Sequence, residues 1–306
     1  MLKGVLLKRY GGFYYVQVRE TVWECSLRGR FRVQEQDFLP GDYVSILPNQ
    51  DGKATIEKVW PRKNELSRPA VANVEQVVLV FSLAEPSPDT ILLDRLLLQV
   101  HFAGLKTALI FTKADLLEHQ AAEGQGAAPG DPDRRPNPGS DLPEVYRRIG
   151  IPVLVVSNKT GERRGQAADL LDGKISVLAG PSGAGKSSFL NSLNPDLYLK
   201  TGRVSAKTGR GRHTTRHVEL LPVAGGLVAD TPGFSSLFLP PMEREDLQTA
   251  FPEFTPYLSQ CRFAGCGHDK EPQCAVRAAA ADGKIWPERY EHYLVFLQEI
   301  KGRKKH

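Results

Sequence analysis

The residues Gly180, Pro181, Ser182, Gly183, Ala184, Gly185, Lys186 and Ser187 fit the pattern G-x-x-x-x-G-K-S, and Ser188 follows it. Glycines at these positions let successive backbone N–H groups turn inward, which makes a nest for a polyphosphate. Lys186 is placed to reach the β- and γ-phosphates, and the Ser187 hydroxyl to bind Mg2+. The apolar run Ile175–Ala179 before the loop reads as a buried strand, and 188–193 after it reads as a helix. The helix N-terminus adds its partial positive charge to the cradle. A glycine-rich turn with only a structural role seldom has both flanks as well as the lysine and serine. The loop alone does not separate ATP from GTP, or a hydrolase from a kinase.

Later motifs narrow the choice. Asp230-Thr-Pro-Gly233 follows an apolar strand pattern and lies 44 residues after Lys186. Asp230 at a strand end suits a carboxylate on the Mg2+ side, and the Gly233 N–H suits a γ-phosphate contact. Between them, in Arg210-Gly-Arg-His-Thr-Thr215, either Thr214 or Thr215 can complete the Mg2+ shell when the γ-phosphate is present. Where many GTPases place a water-orienting Gln after the DxxG glycine, this chain has Phe234. His213 is the candidate for that role, with an exposed or RNA-contacting histidine as the alternative.

Thr112, Lys113, Ala114 and Asp115 form N/T-K-x-D at the end of the strand pattern 107–111. Asp115 there would accept hydrogen bonds from the guanine ring N–H and exocyclic amine, an arrangement adenine does not offer. Thr112 stands where Asn is commoner. Ser157, Asn158 and Lys159, after the run 152–156, resemble the second guanine motif, S-A-K, whose contact comes from the backbone. In an ordinary GTPase both base motifs follow the phosphate loop and DxxG. Here they come first, which joining the old termini and opening new ones at a surface loop would produce.

Cys261, Cys266, His268 and Cys274 offer three thiolates and an imidazole within 14 residues. Four such ligands match a closed tetrahedral Zn2+ site, structural because no position is left for water. The fourth cysteine of the chain, Cys25, reads as a plain buried residue.

The elements that position these residues fall into three stretches. Residues 1–68 show short strands at 5–7, Phe13–Val18, 31–33, 43–47 and 55–59, broken by turn signals, which predicts an OB-type β-barrel. Residues 69–239 alternate apolar runs (77–83, 107–111, 152–156, Ile175–Ala179) with the helical pattern 89–102, which predicts a mostly parallel sheet covered on both faces. Residues 118–143, with five prolines and four glycines, read as a mobile surface insertion. Residues 240–306 read as helices around the Cys/His group, closed by a helix over 285–300.

Charge adds a partner class. Residues 1–68 hold 12 Lys/Arg against 8 Asp/Glu, and 200–217 hold six basic residues and no acidic one. Both suit a polyanion, although a solvated surface looks similar. No apolar run reaches the ~18 residues of a membrane span, and the N-terminus lacks a cleavage site, so the expected compartment is the cytoplasm.

Taken together, the barrel, Pro61-Arg62 to Pro69, Ala72-Asn73-Val74, TKAD, GPSGAGKS, RGRHTT, DTPG and CRFAGCGHDKEPQCAV resemble the RsgA (YjeQ) family of ribosome small-subunit-dependent GTPases over nearly the whole chain. The resemblance implies a multi-domain α/β protein. Its parts would be an OB-fold, a circularly permuted GTPase domain and a zinc domain, with Zn2+ and Mg2+ as cofactors. It also implies rRNA binding, action late in small-subunit maturation, and GTP hydrolysis stimulated by that subunit. Apart from the resemblance, the expected form is a monomer with no membrane partner. The competing readings are a GTP-gated RNA-binding module with negligible intrinsic hydrolysis, a kinase and an ATPase.

Overall fold

The structure is a computed structural model that describes residues 1–29, 31, 37–116, 138–197, 199, 218–230 and 239–303. The first five strands are β1 (Leu2–Tyr10), β2 (Phe13–Val18), β3 (Thr21–Leu27), β4 (Tyr43–Pro48) and β5 (Ala54–Val59). They close in the order β1-β2-β3-β5-β4, with only the β3–β5 pair parallel, which is the OB barrel expected. Alternation along the strands points Leu6, Val16, Cys25, Val44, Ile46 and Ile56 into one core.

One strand differs from expectation. The third strand is Thr21–Leu27, and Phe31, where the pattern predicts a strand over 31–33, lies in helical backbone; 32 and 33 lie outside the described residues. The β2–β3 turn is Arg19-Glu20, with Arg19 at φ 54°, so the hairpin lacks the Asn or Gly that usually marks such turns. Phe31 instead packs edge-on against Phe38, with ring centroids 5.7 Å apart, in the barrel core.

The connection to the next layer is built as tightly as a core. Asp42 is fully buried and takes the Arg62 guanidinium on both oxygens, at 2.7 and 3.0 Å. Asn73 donates to the Gly41 carbonyl at 2.9 Å and accepts from the Lys63 N–H at 2.8 Å. A Cβ on Gly41 would lie 2.0 Å from the Ala72 oxygen, so only glycine allows this approach. The small hairpin β6 (Glu65–Ser67) and β7 (Ala70–Ala72) lies in this connection.

A six-stranded sheet follows: β8 (Gln76–Ser82), β9 (Lys106–Thr112), β10 (Val153–Val155), β11 (Ile175–Ala179), β12 (Leu220–Val223) and β13 (Gly226–Asp230). Its order is β10-β9-β8-β11-β13-β12, and only β12 is antiparallel. β8 and β11 are buried at every residue, which explains their continuous apolar runs. Helices α1 (Thr90–Phe102) and α2 (Pro138–Arg148) cover one face, where Leu93, Leu96 and Tyr146 meet Leu79, Phe81 and Phe111. Helices α3 (Arg164–Leu171) and α4 (Lys186–Leu193) cover the other, where Leu171, Phe189 and Leu190 meet Val78, Val80 and Leu178. α2 begins at Pro138, inside the stretch that composition assigned to an insertion through 143; proline and glycine counts register punctuation but miss a helix that starts on proline. From β8 the chain steps outward to β9 and β10, and from β11 it steps the other way to β13. The strand order therefore reverses between β8 and β11, where open α/β sheets bind ligands beyond their carboxyl ends.

Beyond β13 no strand occurs among the described residues. Helices α5 (Arg244–Thr249), α6 (Thr255–Leu258), α7 (Ala275–Ala281) and α8 (Pro287–Arg303) pack a third core around Phe251, Phe254, Tyr293, Phe296 and Leu297. α8 extends three residues past the predicted end at 300. It docks on α1: Asp94, 1% exposed, bonds Arg289, the Tyr146 hydroxyl at 2.8 Å and His292 Nδ1 at 2.6 Å. Arg289 also pairs with Glu253, so the buried charges are compensated.

Candidate nucleotide site and metal centre

The phosphate loop leaves the carboxyl end of β11 at the reversal point. Gly180 sits at φ 140°, and a Cβ there would lie 2.1 Å from the Val80 oxygen. Gly183 and Gly185 also have positive φ, at 80° and 88°, so the loop needs all three glycines for its turn. α4 starts at Lys186, and the Lys186 ammonium donates to the Gly180 and Pro181 carbonyls at 2.8 Å each. Ser182 and Gly183 are exposed, Ala184 is buried, and Pro181, Ser187 and Ser188 are half-buried.

The base motifs reach this loop from the neighbouring strand ends. Thr112 is fully buried and its hydroxyl donates to the Ala184 carbonyl at 2.6 Å. The Asn158 amide nitrogen donates to the Gly185 carbonyl at 3.4 Å. Ser157, 2% exposed, donates its hydroxyl proton to Asp115 at 2.7 Å and accepts from the Thr160 N–H at 3.1 Å. The Ser157 bond fixes the carboxylate of Asp115, which remains partly open. Lys113, at φ 63°, sends its ammonium to the Glu85 carbonyl, and Ala114 N–H reaches the Val156 carbonyl at 3.4 Å. Lys159 is exposed. Two features escaped the sequence reading. The 82–86 loop forms a wall, with Glu85 receiving Lys113 and Pro86 next to Gly183. The Asn158 side chain, expected to be a neutral replacement, ties the second base motif to the phosphate loop.

Asp230 ends β13, whose register sets it beside Leu178, two residues before Gly180. His213, Thr214, Thr215, Gly233 and Phe234 lie outside the described residues.

In the C-terminal region, the ligand atoms of Cys261, Cys266, His268 and Cys274 all lie within 4.8 Å of one another. His268 Nδ1 is 3.4 Å from Cys274 Sγ and 3.7 Å from Cys261 Sγ, while its Nε2 meets Gln248 Oε1 at 3.0 Å. Gln248 can only accept at that atom, so Nε2 carries the proton and Nδ1 offers its lone pair to the group. Burial lowers the His268 pKa and favours the neutral ring a metal needs. Burial, with neighbouring sulfurs, pushes the Cys266 thiol up to about 12, a penalty that a cation in the middle would reverse. Glu271 clamps the loop by accepting the Gly267, Asp269 and Lys270 N–H groups at 2.8, 3.0 and 3.1 Å. The four residues are able to hold a metal ion.

The order of these parts along the chain says more than any one of them. The TKAD and Ser157–Lys159 strand ends arrive first, the phosphate loop second, and Asp230 last, yet all lie at the carboxyl end of one sheet. That arrangement defines the class of the circularly permuted P-loop GTP hydrolases.

Comparison with known proteins narrows the class. The chain belongs to the RsgA GTPase family: its family model matches residues 59–240, and the RsgA N-terminal domain model matches 3–56. It is 50% identical to the small ribosomal subunit biogenesis GTPase RsgA of Moorella thermoacetica over 305 residues, covering 99% of each chain. It is 45% identical to that of Shouchella clausii, covering 100% of this chain and 99% of the other. The crystal structure of YloQ, a circularly permuted GTPase, superposes with a TM-score of 0.75 at 39% identity, over 99% of this chain and 96% of that one. YjeQ from Thermotoga maritima gives 0.75 at 34% identity, over 98% and 99%.

Proposed function

We infer that this chain hydrolyses GTP to GDP and phosphate late in small-subunit maturation, and that the small ribosomal subunit stimulates it. One observation carries the reading: the Thr112 hydroxyl on the Ala184 carbonyl at 2.6 Å joins the base-reading and phosphate-binding motifs in one crevice. Relatives named for small-subunit biogenesis support the partner.

Asp115 would hold the guanine edge, with Lys113 along the base and the Ser157–Lys159 backbone at the guanine oxygen. The loop N–H groups and Lys186 stabilise the charge that develops on the phosphates. Ser187, Asp230 and either Thr214 or Thr215 would hold Mg2+, which supplies positive charge against the β- and γ-phosphate oxygens. Gly233 would sense the γ-phosphate. Phe234 cannot orient water, so His213 takes that role; an unchanged single-turnover rate in His213→Ala would remove it.

Zinc is the metal that the Cys261/Cys266/His268/Cys274 donor set fits. Bonds of about 2.3 Å to sulfur and about 2.0 Å to nitrogen around a tetrahedron set ligand atoms roughly 3.5–3.8 Å apart, close to the 3.4, 3.7 and 4.0 Å seen here. Stripping the metal with a chelator is expected to melt the 240–306 region while the barrel keeps its strand signal, read by circular dichroism and proteolysis. A chelated protein with an unchanged protease pattern would leave the ion without a structural role.

We divide the chain into modules at 1–68, 69–239 and 240–306. The barrel is suited to rRNA, since Lys58 lies 4.0 Å and Lys3 4.9 Å from the Trp60 ring centroid and Tyr10 and Phe13 are exposed. No helix of the described residues is long and apolar enough to cross a membrane, and we place the protein in the cytoplasm as a monomer. The decisive assay is GTP turnover with purified small subunits, large subunits and neither. Turnover is expected to rise with small subunits alone; equal rates in all three overturn the subunit dependence.

A further inference from the structure

At the amino end of the strands, opposite the nucleotide crevice, a cavity of about 540 Å³ opens where the barrel meets the GTPase sheet. That is the size of a small-ligand pocket. Barrel residues Lys3, Gln17, Arg19 and Tyr43 line one side. Lys174 and the β12–β13 turn, 222–227, line the other. Among the described residues that line it, three are cations and none is acidic. Two carboxylates border it from outside the lining, Glu75, which accepts from the Ile175 N–H at 3.2 Å, and Asp172 beside Gly225, and the Lys174 ammonium donates to the Leu170 carbonyl at 2.8 Å.

The cavity continues a feature of the barrel surface. The Lys3 ammonium stands 5.3 Å from the Tyr43 ring centroid and 4.9 Å from that of Trp60, which also carries Lys58. A strip of alternating rings and cations thus leads from the open barrel face to the cavity mouth. Rings take bases and cations take phosphates, which is how single strands are held without reading sequence. Gln17 adds a third element. Its Nε2 donates to the Arg19 carbonyl at 2.9 Å, which orients the amide, and its Oε1 is buried with no hydrogen-bond partner. An acceptor left so is costly and calls for a donor, such as a ribose hydroxyl or a base N–H. The oxygen is covered, so meeting that donor takes a rotation of the amide that gives up the Nε2–Arg19 bond.

We propose that this cavity binds a nucleoside phosphate unit, with the phosphate on Lys3, Arg19 and Lys174, the ring against Tyr43 and a donor group at Gln17. The proposal rests on the RNA-partner reading above and adds a second nucleotide pocket, separate from the P-loop. It also explains how RNA contact reaches the hydrolytic site. The lining turn joins β12 to β13. β12 follows the Thr214–Thr215 segment in the chain, and β13 ends at Asp230. An occupant held against 222–227 therefore bears on the hairpin that connects both switch segments.

The test uses full-length protein with GDP in saturating excess, so that the P-loop is occupied. Fluorescence anisotropy follows a labelled single-stranded 12-nucleotide RNA of mixed sequence in one arm and labelled UMP in the other, across a KCl series. The variants are Arg19→Glu/Lys174→Glu and the milder Arg19→Gln/Lys174→Gln, each checked for wild-type melting and GDP affinity. Loss of at least about tenfold in RNA affinity, with a salt slope reduced by about 1 for each cation removed, supports the proposal and makes an RNA strand the source. UMP binding that both variants lose supports it with a free nucleotide as the source. Wild-type RNA binding that neither variant changes overturns the proposal and leaves the RNA reading standing. No wild-type binding of either probe overturns both. Photo-crosslinking of a 4-thiouridine RNA to wild-type protein gives an answer independent of the variants: adducts at Tyr43 or in 222–227 support the pocket, and adducts only elsewhere reject it.

Discussion

At the scale of single residues, Thr112 illustrates how one side chain serves two motifs. A four-residue match such as TKAD is common by chance, and the replacement of Asn by Thr weakens it. The buried hydroxyl explains the residue: it crosses to the Ala184 carbonyl, a contact to a residue 72 positions away that no local pattern reveals. Asp115 is the residue whose role is easiest to isolate, because Ser157 already holds its carboxylate in place. Asp115→Asn swaps one of two acceptor oxygens for a donor. GTP affinity is expected to fall by about tenfold to a hundredfold, the worth of charged hydrogen bonds. Xanthosine triphosphate, whose edge presents an acceptor there, should lose less. Equal losses for the two nucleotides in competition binding would take Asp115 away from the base.

At the scale of elements, the Cys/His segment shows how one carboxylate ties together the backbone of a metal-ligand loop. Burial alone would raise the Glu271 pKa, but four backbone N–H groups, those of Gly267, Asp269, Lys270 and Glu271 itself, outweigh it and hold the carboxyl at about 2. A group whose folded pKa is depressed stabilises the folded state above its unfolded value, near 4.3, and that stability fades as pH falls toward 2. Glu271→Gln removes the charge. The melting-temperature gap between wild type and variant is therefore expected to be full at pH 6 and above and to close steadily below pH 4.5. A gap of constant size from pH 7 to pH 3 would show that the carboxylate charge does not hold the loop. Elsewhere, strand β3 and the start of α2 escaped sequence reading for opposite reasons. One lies behind a turn without turn residues, and the other lies behind prolines that open a helix instead of breaking one.

At the scale of the whole molecule, the three layers are joined by buried polar contacts. Asp42–Arg62 and Asn73 fasten the barrel, and Asp94 with Arg289, His292 and Tyr146 fastens α8 to α1. α1 follows the 82–86 loop that receives Lys113, so the TKAD strand end and the Cys/His region share one helix. Asp94→Ala leaves Arg289 and His292 buried with half their partners. A loss of about 3 kcal/mol or more is expected in the urea unfolding of the C-terminal region. GTP affinity should change less, since Asp94 touches neither loop. A loss below about 1 kcal/mol would mean that apolar packing alone docks α8.

The sequence by itself determined the class: the phosphate-loop pattern, the two motifs expected to read the base, the Cys/His group able to hold a metal, the permuted order and the three classes of element follow from residue types at short spacing. Spacing fixes local backbone geometry, and local geometry suffices for a nest, a strand end or a ligand pair. Only the tertiary structure decided which distant groups meet. The Thr112–Ala184 bond, the Asp94 network and the cationic cavity beside Gln17 all join segments dozens to hundreds of residues apart. Their energies depend on burial, and burial exists only once the sheet, barrel and helices have packed.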